Sequence, residues 1–224
     1  MPSVVLSLLR LFADDAYLYK IIKSTNDALI LQQDLDRLQT WERNFNMEFH
    51  PKKCKVLSVT NKTKPVHASY KIHNEILENV DSAKYLGVEI HQKLKWNIHV
   101  ANVCKKSNQI INFLQRNLRG CNKSIKAKAY NTYVKPILNY ASSVWNPVNN
   151  DTLTKQLEQV QRKAARFVCS DWSWNSSPST MIRDLGWESL ELSHERNNLL
   201  IYNDNLHFTK LSMREWLYHK TWKN

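Results

Sequence analysis

Asp14 and Asp15 stand side by side between two apolar runs, Val4 to Ala13 and Ala16 to Ile22. Two short apolar segments, β-branched and aromatic in part, around a two-residue polar break predict a β-hairpin with the carboxylates at its tip. A tight turn between buried strands can hold carboxylates rigidly at a sheet edge. Carboxylates held that way can ligate Mg²⁺ ions, which activate a hydroxyl nucleophile and stabilise the leaving oxygens in phosphoryl transfer. Side chains alternate along strands, so the two aspartates face differently and one dominates as ligand. An Asp-Asp dipeptide alone is ordinary turn chemistry, and only its surroundings can give it a larger role.

Charge is the second feature with chemical meaning. The 224-residue chain carries 32 Lys and Arg against 20 Asp and Glu, a net charge of +12. Lys93 to Ser170 holds 14 basic residues and two acids, Asp151 and Glu158, so this one segment accounts for the whole excess. A basic block confined to one stretch is the usual footprint of a nucleic-acid-binding surface, although a solvated, Lys-rich set of helices gives the same count. Lys126 and Lys128 precede Tyr130 and Tyr133 on a predicted helix. Arg162, Lys163 and Arg166 include an i, i+4 pair on one helix face, with Val160, Ala164 and Phe167 turned inward. A positive helical face with aromatics suits a groove that tracks a nucleic-acid backbone. Trp145, Trp172, Trp174 and Trp187 read as core or connector anchors rather than stacking platforms.

Other classes fall away. Three glycines, at 87, 120 and 186, leave no room for a Gly-rich phosphate loop. Four scattered cysteines (54, 104, 121 and 169) form no metal-ligand spacing and read as reduced intracellular thiols. The apolar opening lacks the flanks of a signal peptide and is far too short to span a membrane.

The elements that must position these residues change character along the chain. After the hairpin, Ser24 and Asp27 supply a helix cap. Ala28, Leu31, Leu35, Leu38 and Trp41 then recur at three- and four-residue steps, predicting a helix to about Phe45. Cys54–Thr60, Tyr70–Ile72 and Tyr85–Ile90 read as strands. From about Asn97 the pattern is helix after helix. Val100, Val103, Ile110, Phe113, Leu114 and Leu118 mark the first, ended by Gly120. Ile125–Tyr133 marks a second, interrupted at Pro136 and resuming to Trp145. Leu153, Leu157, Val160, Ala164 and Phe167 mark a third. Ser173–Pro178 is a polar connector before a short helix from Thr180 and a last one over Leu190–His207.

The residues around the aspartates carry a family resemblance. Leu11-Phe12-Ala13-Asp14-Asp15-Ala16-x-Leu18-Tyr19 resembles the catalytic turn of reverse transcriptases from LINE-type (non-LTR) retrotransposons, most like the jockey group. The likeness continues in order. Leu35-Asp36-Arg37-Leu38-Gln39-x-Trp41 is similar to the palm helix that follows, and Phe49-His50-Pro51-x-Lys53-Cys54-Lys55-Val56-Leu57 to the next motif. Lys84-Tyr85-Leu86-Gly87-Val88 resembles the primer-grip strand. Tyr133-Val134-Lys135-Pro136-Ile137-Leu138-Asn139-Tyr140-Ala141-Ser142-x-Val144-Trp145 and Glu158-x-Val160-Gln161-Arg162-Lys163-Ala164-Ala165-Arg166-Phe167 are similar to the thumb.

The resemblance implies an α+β fold: a partial polymerase palm of hairpin, helix and strands over 1–92, a basic helical thumb-like region over 93–170, and a connector with C-terminal helices over 171–224. It implies Asp14 and, more weakly, Asp15 as ligands of Mg²⁺. Lys53 would act as general acid or electrostatic stabiliser toward pyrophosphate. Leu86 and Gly87 would form a primer grip. Lys126, Lys128, Arg162, Lys163 and Arg166 would contact an RNA template paired with a DNA primer. The family has a further catalytic aspartate well before the turn, and none of the residues ahead of Asp14 is acidic. The expectation is therefore a reverse transcriptase fragment, inactive alone and completed by an upstream polymerase segment. Two alternatives stay open: a non-catalytic nucleic-acid-binding module, and a degenerate element relic.

Overall fold

In the computed structural model, residues 4–13, 15–45 and 48–207 are described, with side chains to 202. The fold is α+β, with short strands in the first part and helices after it.

The first unit comprises residues 1–83 and 91–94. Strands β1 (Leu8–Phe12) and β2 (Asp15–Tyr19) form an antiparallel hairpin in which Leu8 faces Tyr19 and Phe12 faces Asp15. Helix α1 (Thr25–Phe45) starts on the expected capping box. The Ser24 amide donates to the Asp27 carboxylate at 2.9 Å, and the Asp27 amide donates back to Ser24 Oγ at 3.3 Å. Its inward stripe, Ala28, Leu31 and Leu35, packs with Tyr70, Ile72 and Leu77 to make this unit's core.

The remaining strands of this unit are too short to satisfy themselves. Strand β3 (Lys55–Val56) pairs in parallel with β6 (Glu78–Asn79), and β4 (Lys71–Ile72) pairs antiparallel with β5 (Glu75–Ile76). Polar side chains of α1 complete the backbone pairing. Gln32 accepts from the Lys71 amide and donates to its carbonyl, at 2.9 and 3.1 Å, and Gln39 accepts from the His73 amide at 3.1 Å.

The second unit comprises residues 84–90 and 95 onward. The segment Tyr85–Ile90, expected as one strand, is a hairpin. Strand β7 (Ser82–Tyr85) turns back into β8 (Val88–His91) through Leu86 and Gly87. Both turn residues have positive φ, 44° and 83°, which suits a tight two-residue turn and cannot continue a strand.

Helices α2 (Asn97–Asn117), α3 (Lys123–Tyr133), α4 (Lys135–Asn139), α5 (Ser142–Trp145), α6 (Asp151–Cys169), α7 (Pro178–Asp184) and α8 (Leu190–His207) make up the rest. Helix α6 lies centrally, packed by α2, α3, α7 and α8. Its buried residues include all five of the predicted inward positions, Leu153, Leu157, Val160, Ala164 and Phe167. On α2 the inward stripe is Val100, Val103, Ser107, Ile111 and Leu114, so the expected core residue Phe113 is exposed instead. Four-residue spacing from Val103 reaches Ser107 and Ile111, and a small buried serine hid that register.

The fully buried Trp145 joins three helices. His99 on α2 and His194 on α8 meet its ring edge-on, with centroids 5.0 and 5.1 Å away. Its indole donates to the Tyr140 carbonyl at 2.8 Å. Ala141, at φ 51°, breaks α4 from α5 and so turns Trp145 inward.

Candidate functional site

The hairpin β1–β2 brings the strand ends together around the Ala13 turn. Ala13 adopts φ 51°, a left-handed conformation that a non-glycine residue takes only where the turn demands it. Asp15 is the first residue of β2, paired with Phe12 and exposed to solvent. Asp14, the stronger expected ligand, lies outside the described residues. The entry to β1 is tied down by a buried acid of α1. Asp34, fully buried on α1, accepts from the amides of Leu6 and Ser7 at 2.9 and 2.7 Å and from Arg37 at 2.9 Å. Burial pushes its carboxyl up, but the hydrogen bonds from Ser7, the Leu6 amide and Arg37 outweigh that and hold it below the ordinary aspartate range.

These donors do not compose a site for two cations. Among the described residues, no group of three or more His, Cys, Asp or Glu side chains gathers where a metal could sit. Asp34 is already saturated by its amides and Arg37. Cys104 is no substitute, since burial pushes its thiol up to about 11.

Lys53 closes the single 3₁₀ turn Pro51–Lys53 ahead of β3 and is exposed. Leu86 and Gly87 form the tip of the β7–β8 hairpin, and that tip is gripped. Tyr140 Oη donates to the Leu86 carbonyl at 2.8 Å. A Cβ on Gly87 would lie 3.2 Å from the Tyr140 ring, so glycine serves both the positive φ and the close approach.

The five basic residues separate into two groups. Lys128 and Arg162 are exposed, and the half-exposed Lys163 reaches Asn112 of α2 at 2.7 Å. Lys155 extends this solvent face of α6. Lys126 and Arg166, expected on the binding face, are committed internally. Lys126 is only 4% exposed; it donates to Ser170 Oγ at 2.6 Å and lies 5.8 Å from the Phe167 ring centroid. Arg166 spreads its guanidinium over the carbonyls of Ser173 and Ser176, at 2.9 and 3.0 Å.

Sequence comparison supplies the relatives. The chain is 27% identical over 205 residues to a protein described as "Probable RNA-directed DNA polymerase from transposon BS" of Drosophila melanogaster, covering 89% of this chain and 22% of that one. It is 25% identical over 182 residues to the RNA-directed DNA polymerase from mobile element jockey of the same fly, covering 80% and 20%. The chain is related to the LINE-type, jockey-like reverse transcriptases. A third such relative, from the X-element, is 25% identical over 183 residues, covering 80% and 20%. The chain thus spans about a fifth of the length of each of these three relatives. No family model and no solved structure matches it.

Within this jockey-like chain, three residues have places that the sequence did not indicate. Asp34 belonged only to a helix that reads as packing against the sheet, and Tyr140 looked like one more thumb aromatic. Trp174, read as an anchor, is 91% exposed. Only Tyr140 left a signal, as the aromatic four residues after Pro136 in a motif already matched. No described helix is long and apolar enough to cross a membrane.

Proposed function

We propose that this chain serves as part of an RNA-directed DNA polymerase of a non-LTR retrotransposon, with palm-like elements in its first unit and a thumb-like helical second unit that holds an RNA template paired with a DNA primer. The observation that carries the reading is the exposed basic face of α6 and its neighbours, Lys128, Lys155, Arg162 and Lys163, in a chain whose relatives are such polymerases. Those side chains are uncommitted to buried partners and free to neutralise phosphates, the interaction that dominates binding to a nucleic-acid backbone. Leu86 and Gly87, on a turn clamped by Tyr140, suit a rigid grip on a primer end. Asp14 and Asp15 would be the acidic residues of the catalytic turn, with Mg²⁺ the expected cation and Lys53 the basic residue facing pyrophosphate. No step is assigned through the metal, because the described carboxylates do not suffice to hold it.

The same basic face also supports a second reading, a nucleic-acid-binding module without chemistry of its own. Both readings predict the same first experiment. The chain should bind an RNA–DNA duplex with steep salt dependence, because counterion release gives a log–log slope of roughly −0.9 per phosphate neutralised on B-DNA and similar behaviour is expected here. Lys128→Gln, Arg162→Gln and Lys163→Gln together should flatten the slope by about 2–3, about 1 per lost phosphate contact. An unchanged slope in the triple variant would remove the helical unit from the binding surface.

A further inference from the structure

The segment between α6 and α7 displays two indoles. Trp174 is 91% exposed and Trp172 55%. Among the described residues, no ring contact or hydrogen bond engages the Trp174 side chain. Two indoles exposed within three residues exceed the single scattered ring that is normal on a surface, and Trp is enriched at binding hot spots.

The segment is also built more firmly than a connector requires. Ser170, at φ 55°, turns the chain out of α6. Arg166 then reaches across to donate to the Ser173 and Ser176 carbonyls at 2.9 and 3.0 Å. From the other side, the Asp171 carboxylate accepts from the Ser173 amide at 2.9 Å, from Ser173 Oγ at 2.6 Å and from Ser176 Oγ. The hydrogen bonds from Ser173 and Ser176 hold the Asp171 carboxyl down to about 2, so the clamp keeps its charge through the physiological range. Trp174 lies inside the clamped span, one residue after Ser173 and two before Ser176. Such preorganisation lowers the entropy a ligand must overcome on binding.

The surroundings select the ligand. A protein partner's hot spot sits in a well-packed pocket that surrounding contacts shut off from water. The neighbours of Trp174 in the chain are Ser173, Asn175, Ser176 and Ser177 instead. The bond from Lys126 to Ser170 sets α3 against the start of this segment. Residues 116–128 there carry five basic side chains and no acid. Lys126 is buried, and the other four, Arg116, Arg119, Lys123 and Lys128, are exposed. A flat π surface with polar chain neighbours, on a loop that Lys126 ties to a basic helix, fits a nucleobase and the phosphates that accompany it.

We propose that Trp174, on the loop clamped by Arg166 and Asp171, is a stacking platform for an unpaired base of single-stranded nucleic acid. The inference rests on the reading of the helical unit as nucleic-acid-binding, and adds a single-strand site to the duplex surface. Stacking on an aromatic side chain contributes about 1–3 kcal/mol per base, or roughly 5- to 150-fold in affinity.

The test is fluorescence anisotropy of the full chain with a labelled mixed-sequence single-stranded oligonucleotide and, separately, a blunt RNA–DNA duplex, each over a salt series. Trp174→Ala should weaken single-strand binding roughly 5- to 150-fold with the salt slope unchanged, because no charge is removed. Trp174→Phe should restore most of the loss. Duplex binding should be untouched by either. Arg166→Lys keeps the charge but loses the fork that spans two carbonyls, so it should weaken single-strand binding while leaving the slope alone. Irradiation with a 5-bromouracil oligonucleotide should label Trp174. If Trp174→Ala binds single strands as tightly as the parent, or loses duplex affinity equally, the platform is refuted and a protein partner becomes the better explanation of the exposed ring. If the parent chain binds neither ligand, the broader nucleic-acid reading falls with it.

Discussion

Asp34 occupies a place where a helix pattern predicts little: a polar residue one position before the core leucine Leu35. Its carboxylate nevertheless fixes the entry to β1 through two backbone amides and a guanidinium. Removing one partner of a buried charge costs more than the pair itself contributes, because the other groups lose water and gain nothing. Asp34→Ala should therefore destabilise the first unit by about 3 kcal/mol, read as a lowered midpoint in urea. Asp34→Asn should lose less, since its single oxygen can still accept from one amide. A loss below about 0.5 kcal/mol in the alanine variant would mean that the amides find water readily and that β1 is not anchored here. The same blindness affected the basic residues. Residue type and spacing placed Lys126 and Arg166 with Lys128, Arg162 and Lys163, yet two of the five are tied into the fold. An i, i+4 spacing defines a shared face but not what lies against its edge, and the loop that engages Arg166 has no periodic signature of its own.

At the scale of elements, legibility followed the strength of the repeat. Helices α1 and α6 were readable almost to the residue, because each carries a capping side chain and a sustained apolar stripe. Of the two-residue strands, β3 and β4 lie inside segments read as strands, whereas their partners β5 and β6 were missed, since so short a run has no period. The β7–β8 hairpin was misread for another reason. Its apolar residues continue through the turn, and the turn signal is Leu-Gly rather than Asn-Gly. That substitution is tolerable because Tyr140 bonds the Leu86 carbonyl and covers the glycine. Gly87→Ala tests the arrangement. Alanine at φ 83° is strained by about 1–2 kcal/mol, and its Cβ presses on a ring 3.2 Å away. The variant should melt lower by that amount or slightly more, and Tyr140→Ala in the same chain should relieve the contact but not the backbone strain. If the double variant were as stable as Tyr140→Ala alone, the turn would not need a glycine.

The whole molecule raises a question that no local pattern addresses: how a second unit made of polar, Lys-rich helices is held together. The answer centres on Trp145 between two buried histidines. Burial holds His99 below the ordinary histidine range, with Glu89 working against that shift and Lys84 with it. Burial likewise lowers His194, against the bond its Nε2 makes to the Leu138 carbonyl. That carbonyl can only accept, so Nε2 carries a proton, and burial disfavours a second one on Nδ1. Unfolded, both histidines take up protons near pH 6.5, whereas folded they resist until lower pH. The unfolded chain therefore binds more protons between those limits. Stability is fully present above about pH 6.5 and declines as pH falls toward the folded values, by up to about 1.4 kcal/mol per pH unit for each histidine. Glu158 acts in the opposite sense, because burial raises its carboxyl and protonation at low pH then favours the folded state. With two histidines against one carboxyl, the second unit should melt at a clearly lower temperature at pH 5 than at pH 7.5. His99→Gln with His194→Gln should flatten that dependence while lowering stability at pH 7.5, because the edge-on packing against Trp145 is lost. A profile equally steep in the double variant would place the titrating groups elsewhere and leave the His–Trp–His stack a matter of packing alone.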